Sequence, residues 1–136
     1  MPEQPKPQRL ARDSGTIAPL VACYLALLVM VFTMATNVVA GMAFANRVQG
    51  IADLGLLYAH ERSLRVGIPQ LADLETNFAH YFRYSKAAQG MTWEGARFEI
   101  QGPRSILELC VRFRFPISFD QRVVCRKSSA QSFLVL

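Results

Sequence analysis

IAPLVACYLALLVMVFTMATNVVAGMAFA, residues 17–45, decides the fold: it is the centre of a run in which no charged side chain occurs between Asp13 and Arg47. As an α-helix rising ~1.5 Å per residue, its roughly 29 residues reach ~43 Å. The hydrocarbon core of a bilayer is ~30 Å thick, so the segment is long enough to cross a membrane and continue past it. A core helix of a soluble protein rarely runs so far without a charge. The expectation is a membrane-anchored chain with a transmembrane helix over residues 16–45.

The flanks orient that helix. Residues 1–15, MPEQPKPQRLARDSG, are Pro-rich and polar, and Lys6, Arg9 and Arg12 stand just before the apolar run. The positive-inside rule makes this a basic cytoplasmic leader, and its composition predicts disorder. Ser14 can cap the helix, and Pro19 is tolerated in its first turn. The chain is then single-pass, N-terminus cytoplasmic, with about 90 residues outside the cell membrane, enough for one small domain. Thr33 and Thr36 can bond back to their own helix. Asn37 calls for a partner helix or the outer interface.

Helix-forming residues continue from Arg47 (RVQGIADLGLLYAHERSLR) with no proline before Pro69, predicting an extracytoplasmic extension over 46–66. At 100° per residue, Asn37, Gly41, Ala45, Val48, Ala52, Gly55 and Ala59 share one face of mostly small side chains. Such a face lets another backbone approach closely. Two occupants are open: the protein's own next helix, or copies and relatives in an assembly.

Beyond Gly67 and Pro69, residues 70–136 read as a small α+β domain. In QLADLETNFAHYFRYSKAA, residues 70–88, Leu71, Leu74, Phe78 and Phe82 with Tyr81 predict an amphipathic helix closed by Gly90. The period then changes to two. Thr92 to Gln101 reads as a strand around Trp93, Phe98 and Ile100, and Gly102-Pro103 turns the chain. From Ile106 to Phe115, Leu107, Leu109, Val111, Phe113 and Phe115 alternate with Glu108, Cys110, Arg112 and Arg114, as in a half-buried antiparallel strand. Gln121 to Ser128 returns beside it. Outside the cytoplasm disulfides persist, and Cys110 opposite Cys125 also sets Glu108 against Lys127 and Val111 against Val124. The fold class is α+β. A long N-terminal transmembrane helix continues outside the membrane, followed by a second amphipathic helix and a small three-stranded antiparallel sheet with one disulfide.

A net charge of +5 raises the question of nucleic acid. Part of the charge is the leader. Arg112, Arg114, Arg122 and Arg126, with Lys127, interleave with apolar residues as on the wet face of a sheet, and no stacking platform accompanies them. No nucleic-acid partner is expected. Cys23 lies in the span as a small apolar residue. His60 and His80 fall on different predicted helices without metal-ligand spacing, and surface or interfacial roles suit them best. There is no phosphate loop, nucleophile elbow or CxxC, and nothing evident activates Cys110 or Cys125 as a redox thiol. No catalytic set, cofactor or metal site is expected, and the chain does not read as an enzyme.

Three readings of the N-terminus remain open. Ala43-Phe44-Ala45 could close a cleaved signal peptide, although the apolar stretch far exceeds the usual h-region of roughly 7–15 residues. The helix could be an uncleaved anchor. Or a prepilin-like leader could end at Gly15, with Thr16 the first mature residue. The run from Arg12 to Ala59 resembles the N-terminal signature of TadE/TadG-like proteins, the pseudopilins of the Tad (Flp) pilus system. It has the basic leader, the glycine, one apolar helix and then Arg47-Val48-Gln49-Gly50-Ile51-Ala52-Asp53-Leu54-Gly55. The strand-rich tail with two cysteines is similar to small actinobacterial TadE-like proteins. Where processed prepilins usually carry a glutamate at the fifth mature position, this chain has Leu20, which suits a minor, tip or assembly role better than the repeating shaft.

The resemblance implies a minor pseudopilin-like structural component of a Tad/Flp-type pilus or related secretion assembly. Implied partners are the membrane, other pseudopilins, a platform protein and an assembly ATPase system. A different expectation is a membrane-tethered exported module whose Arg112, Arg114, Arg122 and Arg126 meet anionic cell-envelope polymer or lipid.

Overall fold

A computed structural model of the chain describes residues 14–115, 117 and 120–132. The leader up to residue 13 lies outside the described residues, as do the side chains of residues 14–16 around the Gly15–Thr16 cut. The chain forms two compact units, divided between Thr36 and Asn37. The first helix, α1, runs Ser14–Ser63.

In the first unit, α1 is apolar on every side, with Leu20 and Phe32 each 71% exposed. Such a helix cannot satisfy its side chains in water and is of a length and composition able to cross a membrane. Thr33 Oγ1 donates to the Met30 carbonyl and Thr36 Oγ1 to that of Phe32, both at 2.8 Å. Each hydroxyl is thus satisfied within the helix, as expected from the sequence.

The second unit is built on one stripe of α1. Phe44, Val48, Ile51, Ala52, Leu56 and Ala59 recur at helical spacing and are buried. The apolar run continues to residue 45, yet residues 37–45 belong to this unit because Phe44 stacks on Phe113, ring centroids 4.1 Å apart. A helix long enough to emerge from a bilayer can use its emerging turns as core.

α1 stops at Ser63, short of the expected residue 66. A two-residue loop, Val66-Gly67, with φ of 54° and 79°, closes a small hairpin of β1 (Leu64–Arg65) and β2 (Ile68–Pro69). Positive φ at both central residues is the conformation two-residue hairpins favour. The Gln70 amide donates to the Ser63 carbonyl at 3.0 Å, capping α1 and starting α2 (Leu71–Tyr84). Leu74 and Phe78 are buried; Leu71, expected on the same face, is 46% exposed because it stands at the helix start. A short 3₁₀ turn, Lys86–Ala88, leads to the sheet.

The sheet has order β3-β4-β5, with β3 Thr92–Gln101, β4 Arg104–Arg114 and β5 Gln121–Gln131. All pairings are antiparallel. Leu107, Leu109 and Val111 of the central strand are buried, as their alternation predicts. The register matches the expected one: Cys110 faces Cys125, Glu108 faces Lys127 and Val111 faces Val124. The fold is α+β, with a long apolar helix, a second helix, a three-stranded antiparallel sheet and the Cys110–Cys125 disulfide.

Candidate functional site

The small-residue face is largely occupied by the protein itself. Ala52 and Ala59 are fully buried. A Cβ on Gly55 would stand 2.7 Å from Phe78 Cε2 and 2.8 Å from Tyr81 Cδ1, so the glycine is what lets α2 lie against α1. Of the two occupants left open by the sequence, the chain's own second helix lies on Gly55, and with Ala52 and Ala59 buried in the same unit all three are withdrawn as a surface for other copies. Asn37, Gly41 and Ala45, earlier on the same face, are only half-buried.

Polar side chains on either flank of that face fasten α1 in place. Arg47 Nε donates to the Ala87 carbonyl at 2.6 Å and Nη2 to that of Gln89 at 3.0 Å, tying down the 3₁₀ turn. Gln49 Nε2 donates to Asp53 Oδ1 at 2.8 Å and to the Lys127 carbonyl at 3.2 Å, reaching the edge of β5. Arg47, Gln49 and Ala52, three residues of the segment on which the family resemblance rests, are thus docking contacts of this unit.

Of the surface or interfacial roles expected for it, His60 takes the interfacial one. It is 2% exposed, and its Nδ1 is 2.8 Å from Ser105 Oγ on β4. Its Nε2 is buried without a hydrogen-bond partner. Burial away from water disfavours the imidazolium and lowers the pKa below the usual 6.5, with the Glu61 carboxylate opposing. His80 is exposed on α2, its ring 4.6 Å from that of Tyr84. Among the described residues, no group of three His, Cys, Asp or Glu side chains could hold a metal ion.

The four arginines expected on one wet face lie on two. Paired residues of neighbouring strands point to the same side of a sheet. Arg112 faces Val123 and Arg114 faces Gln121, on the side that carries the disulfide. Arg122 faces Phe113 and Arg126 faces Leu109, on the side covered by α1. Arg112 is paired with Glu94 at 2.6 Å. The alternation was legible in β4, but which face each β5 arginine joins depends on the register.

This division creates the most distinctive surface of the unit. Asn37, Val38, Gly41, Met42 and Ala45 of α1 face Phe115, Asp120, Arg122 and Arg126 across a groove of about 480 Å³. Arg122 Nε lies 3.2 Å from Asp120 Oδ2, and its guanidinium sits 5.9 Å from the centre of the Phe115 ring. Arg126 is exposed and has no ion-pair partner among the described residues. Asn37 Oδ1 is buried and accepts no hydrogen bond. The groove therefore has one apolar wall and one cationic wall, with two arginines against one carboxylate. Sequence reasoning missed it; the one available signal was Asn37 in an apolar run together with arginines on alternate positions of β5.

No family model, no curated protein and no solved structure matches the chain. The fold and site define a class only: an α+β protein whose single long apolar helix could span a membrane.

Proposed function

We propose that the chain is a minor TadE/TadG-like pseudopilin, a structural component of a Tad/Flp-type pilus or related secretion assembly. It is single-pass, with the leader cytoplasmic and the disulfide-bearing domain outside the cell membrane. The observation that carries the reading is the apolar surface of α1 in the first unit, whose large side chains such as Leu20, Tyr24 and Phe32 are exposed. Bilayer lipid covers it in the reservoir state, and neighbouring apolar helices cover it on assembly. The docking role of Arg47, Gln49 and Ala52 supports the reading further, since it gives the family-like segment a physical task.

Lateral contacts in this reading use the membrane segment, because Ala52, Gly55 and Ala59 are taken. Other pseudopilins, a platform protein and an assembly ATPase system are the partners that follow. The test is the N-terminus of the native protein, determined by mass spectrometry from membranes and from a sheared surface fraction. A start at Thr16 supports prepilin-type processing. A start at Asn46 removes the apolar helix and overturns the proposal.

A further inference from the structure

The groove between α1 and β5 joins an apolar wall to a cationic one. In sequence, Asn37 to Ala45 directly follow the segment apolar enough to cross a membrane. Val38 is 56% exposed and Met42 64% exposed there, an apolar wall beside which a chain could lie. Opposite them, Arg122 and Arg126 supply two guanidinium groups against the single carboxylate of Asp120. Asp120 already accepts from Arg122, which leaves the Arg126 guanidinium without an ion-pair partner among the described residues. An anionic phospholipid suits both walls: phosphodiester oxygens for the arginines and an acyl chain for Val38 and Met42.

We propose that this groove binds the phosphodiester headgroup of an anionic phospholipid. The lipid is drawn from the bilayer that holds α1, so the inference rests on the membrane part of the functional reading. Arg122, held by Asp120 and lying over Phe115, is pre-positioned to grip a phosphate. Bound there, the lipid ties the last strand of the sheet to the membrane surface.

The test uses the full-length chain in mild detergent, with bound lipid counted by native mass spectrometry after adding phosphatidylglycerol or phosphatidylcholine. Two charge-assisted contacts should favour phosphatidylglycerol over phosphatidylcholine by about tenfold or more. Arg122→Gln with Arg126→Gln should abolish the preference. Arg97→Gln with Arg104→Gln, which removes the same charge elsewhere, should leave it intact. Ala45→Leu, which narrows the groove at unchanged charge, should weaken retention; the Cys110–Cys125 bridge and Trp93 fluorescence check the fold of every variant.

Equal loss in both double variants would mean general electrostatic attraction and overturn the site. So would displacement of the lipid by equimolar glycerol phosphate, which would make the ligand a soluble anion, or a partner helix cross-linking across the groove from residue 42. Alkaline carbonate extraction separates the two layers of the argument. A chain that stays in membranes but shows no lipid preference loses this inference alone, whereas a chain that is released loses the membrane reading as well.

Discussion

Glycine-to-alanine changes at Gly50 and Gly55 place the same substitution on the same helix with opposite consequences. In a helix interior, alanine is favoured over glycine by about 0.8–1 kcal/mol. At Gly50 a Cβ meets nothing within 4 Å, so Gly50→Ala should realise that gain. At Gly55 the new Cβ would lie 2.7 Å from Phe78 and 2.8 Å from Tyr81. Phe78 cannot swing away: it is fully buried, with ring centroids 5.8 Å from Trp93 and 5.5 Å from Phe98. Overpacking of this kind costs about 1–3 kcal/mol.

The propensity gain is common to both sites, so the difference between the variants isolates the clash at about 1–3 kcal/mol. For a domain of 60–100 residues each kcal/mol moves the midpoint by about 4–8 °C. Gly50→Ala should therefore melt above the wild type, and Gly55→Ala well below Gly50→Ala. Trp93, the only tryptophan, sits 4.8 Å from Phe82 and next to Phe78, so its fluorescence reports on this contact during thermal unfolding of the full chain. If Gly55→Ala raised the midpoint as far as Gly50→Ala, α2 would not lie on this face of α1. The small-residue stripe would then be free for other copies after all.

Four other outcomes follow from the contacts. Serine at Cys110 and Cys125 should cost about 3 kcal/mol, the chain-entropy value for a loop of 15 residues, read as a shift in urea midpoint. Arg47→Ala removes two carbonyl contacts and should cost about 1.5 kcal/mol, with hydrogen exchange rising first in residues 85–91. Val66 is β-branched at a φ of 54°, so Val66→Asn, which tolerates that region, should stabilise by about 1 kcal/mol in the same melt. His60 has a lowered pKa, so below the usual 6.5 the unfolded chain binds a proton that the folded chain refuses. Stability should hold above that pH and fall below it; His60→Gln should flatten the slope between pH 8 and 5, and an unchanged slope would count against a buried neutral imidazole.

The parts of this protein that depend on local pattern were readable from its residues. An uncharged run spanning residues 17–36 is long and apolar enough to cross a membrane, a property set by composition and length alone. Period-two alternation in Leu107–Phe113, pinned by Cys110 and Cys125, was enough to set the register of β4 against β5. A one-residue slip would have turned every side chain to the opposite face. The break near Gly67 was also legible, though the hairpin there was not: Val66 is a poor candidate for positive φ, and tertiary closure by Ser63 and Gln70 overrides its preference.

What only the tertiary structure decided was the use of each exposed or ambiguous face. Helical spacing aligns Gly55 with Ala52 and Ala59 but cannot name the partner; α2 fills that role because Phe78 and Tyr81 arrive at the level of the glycine. His60 lies off the main apolar stripe, and its burial beside Ser105 of β4 is a property of the tertiary fold. The arginines read as one surface in a linear alternation, whereas pairing across β4 and β5 sends Arg122 and Arg126 to the α1 side. Local periodicity determines which way a side chain points from its own element, but which element stands opposite is settled by contacts between residues far apart in the chain.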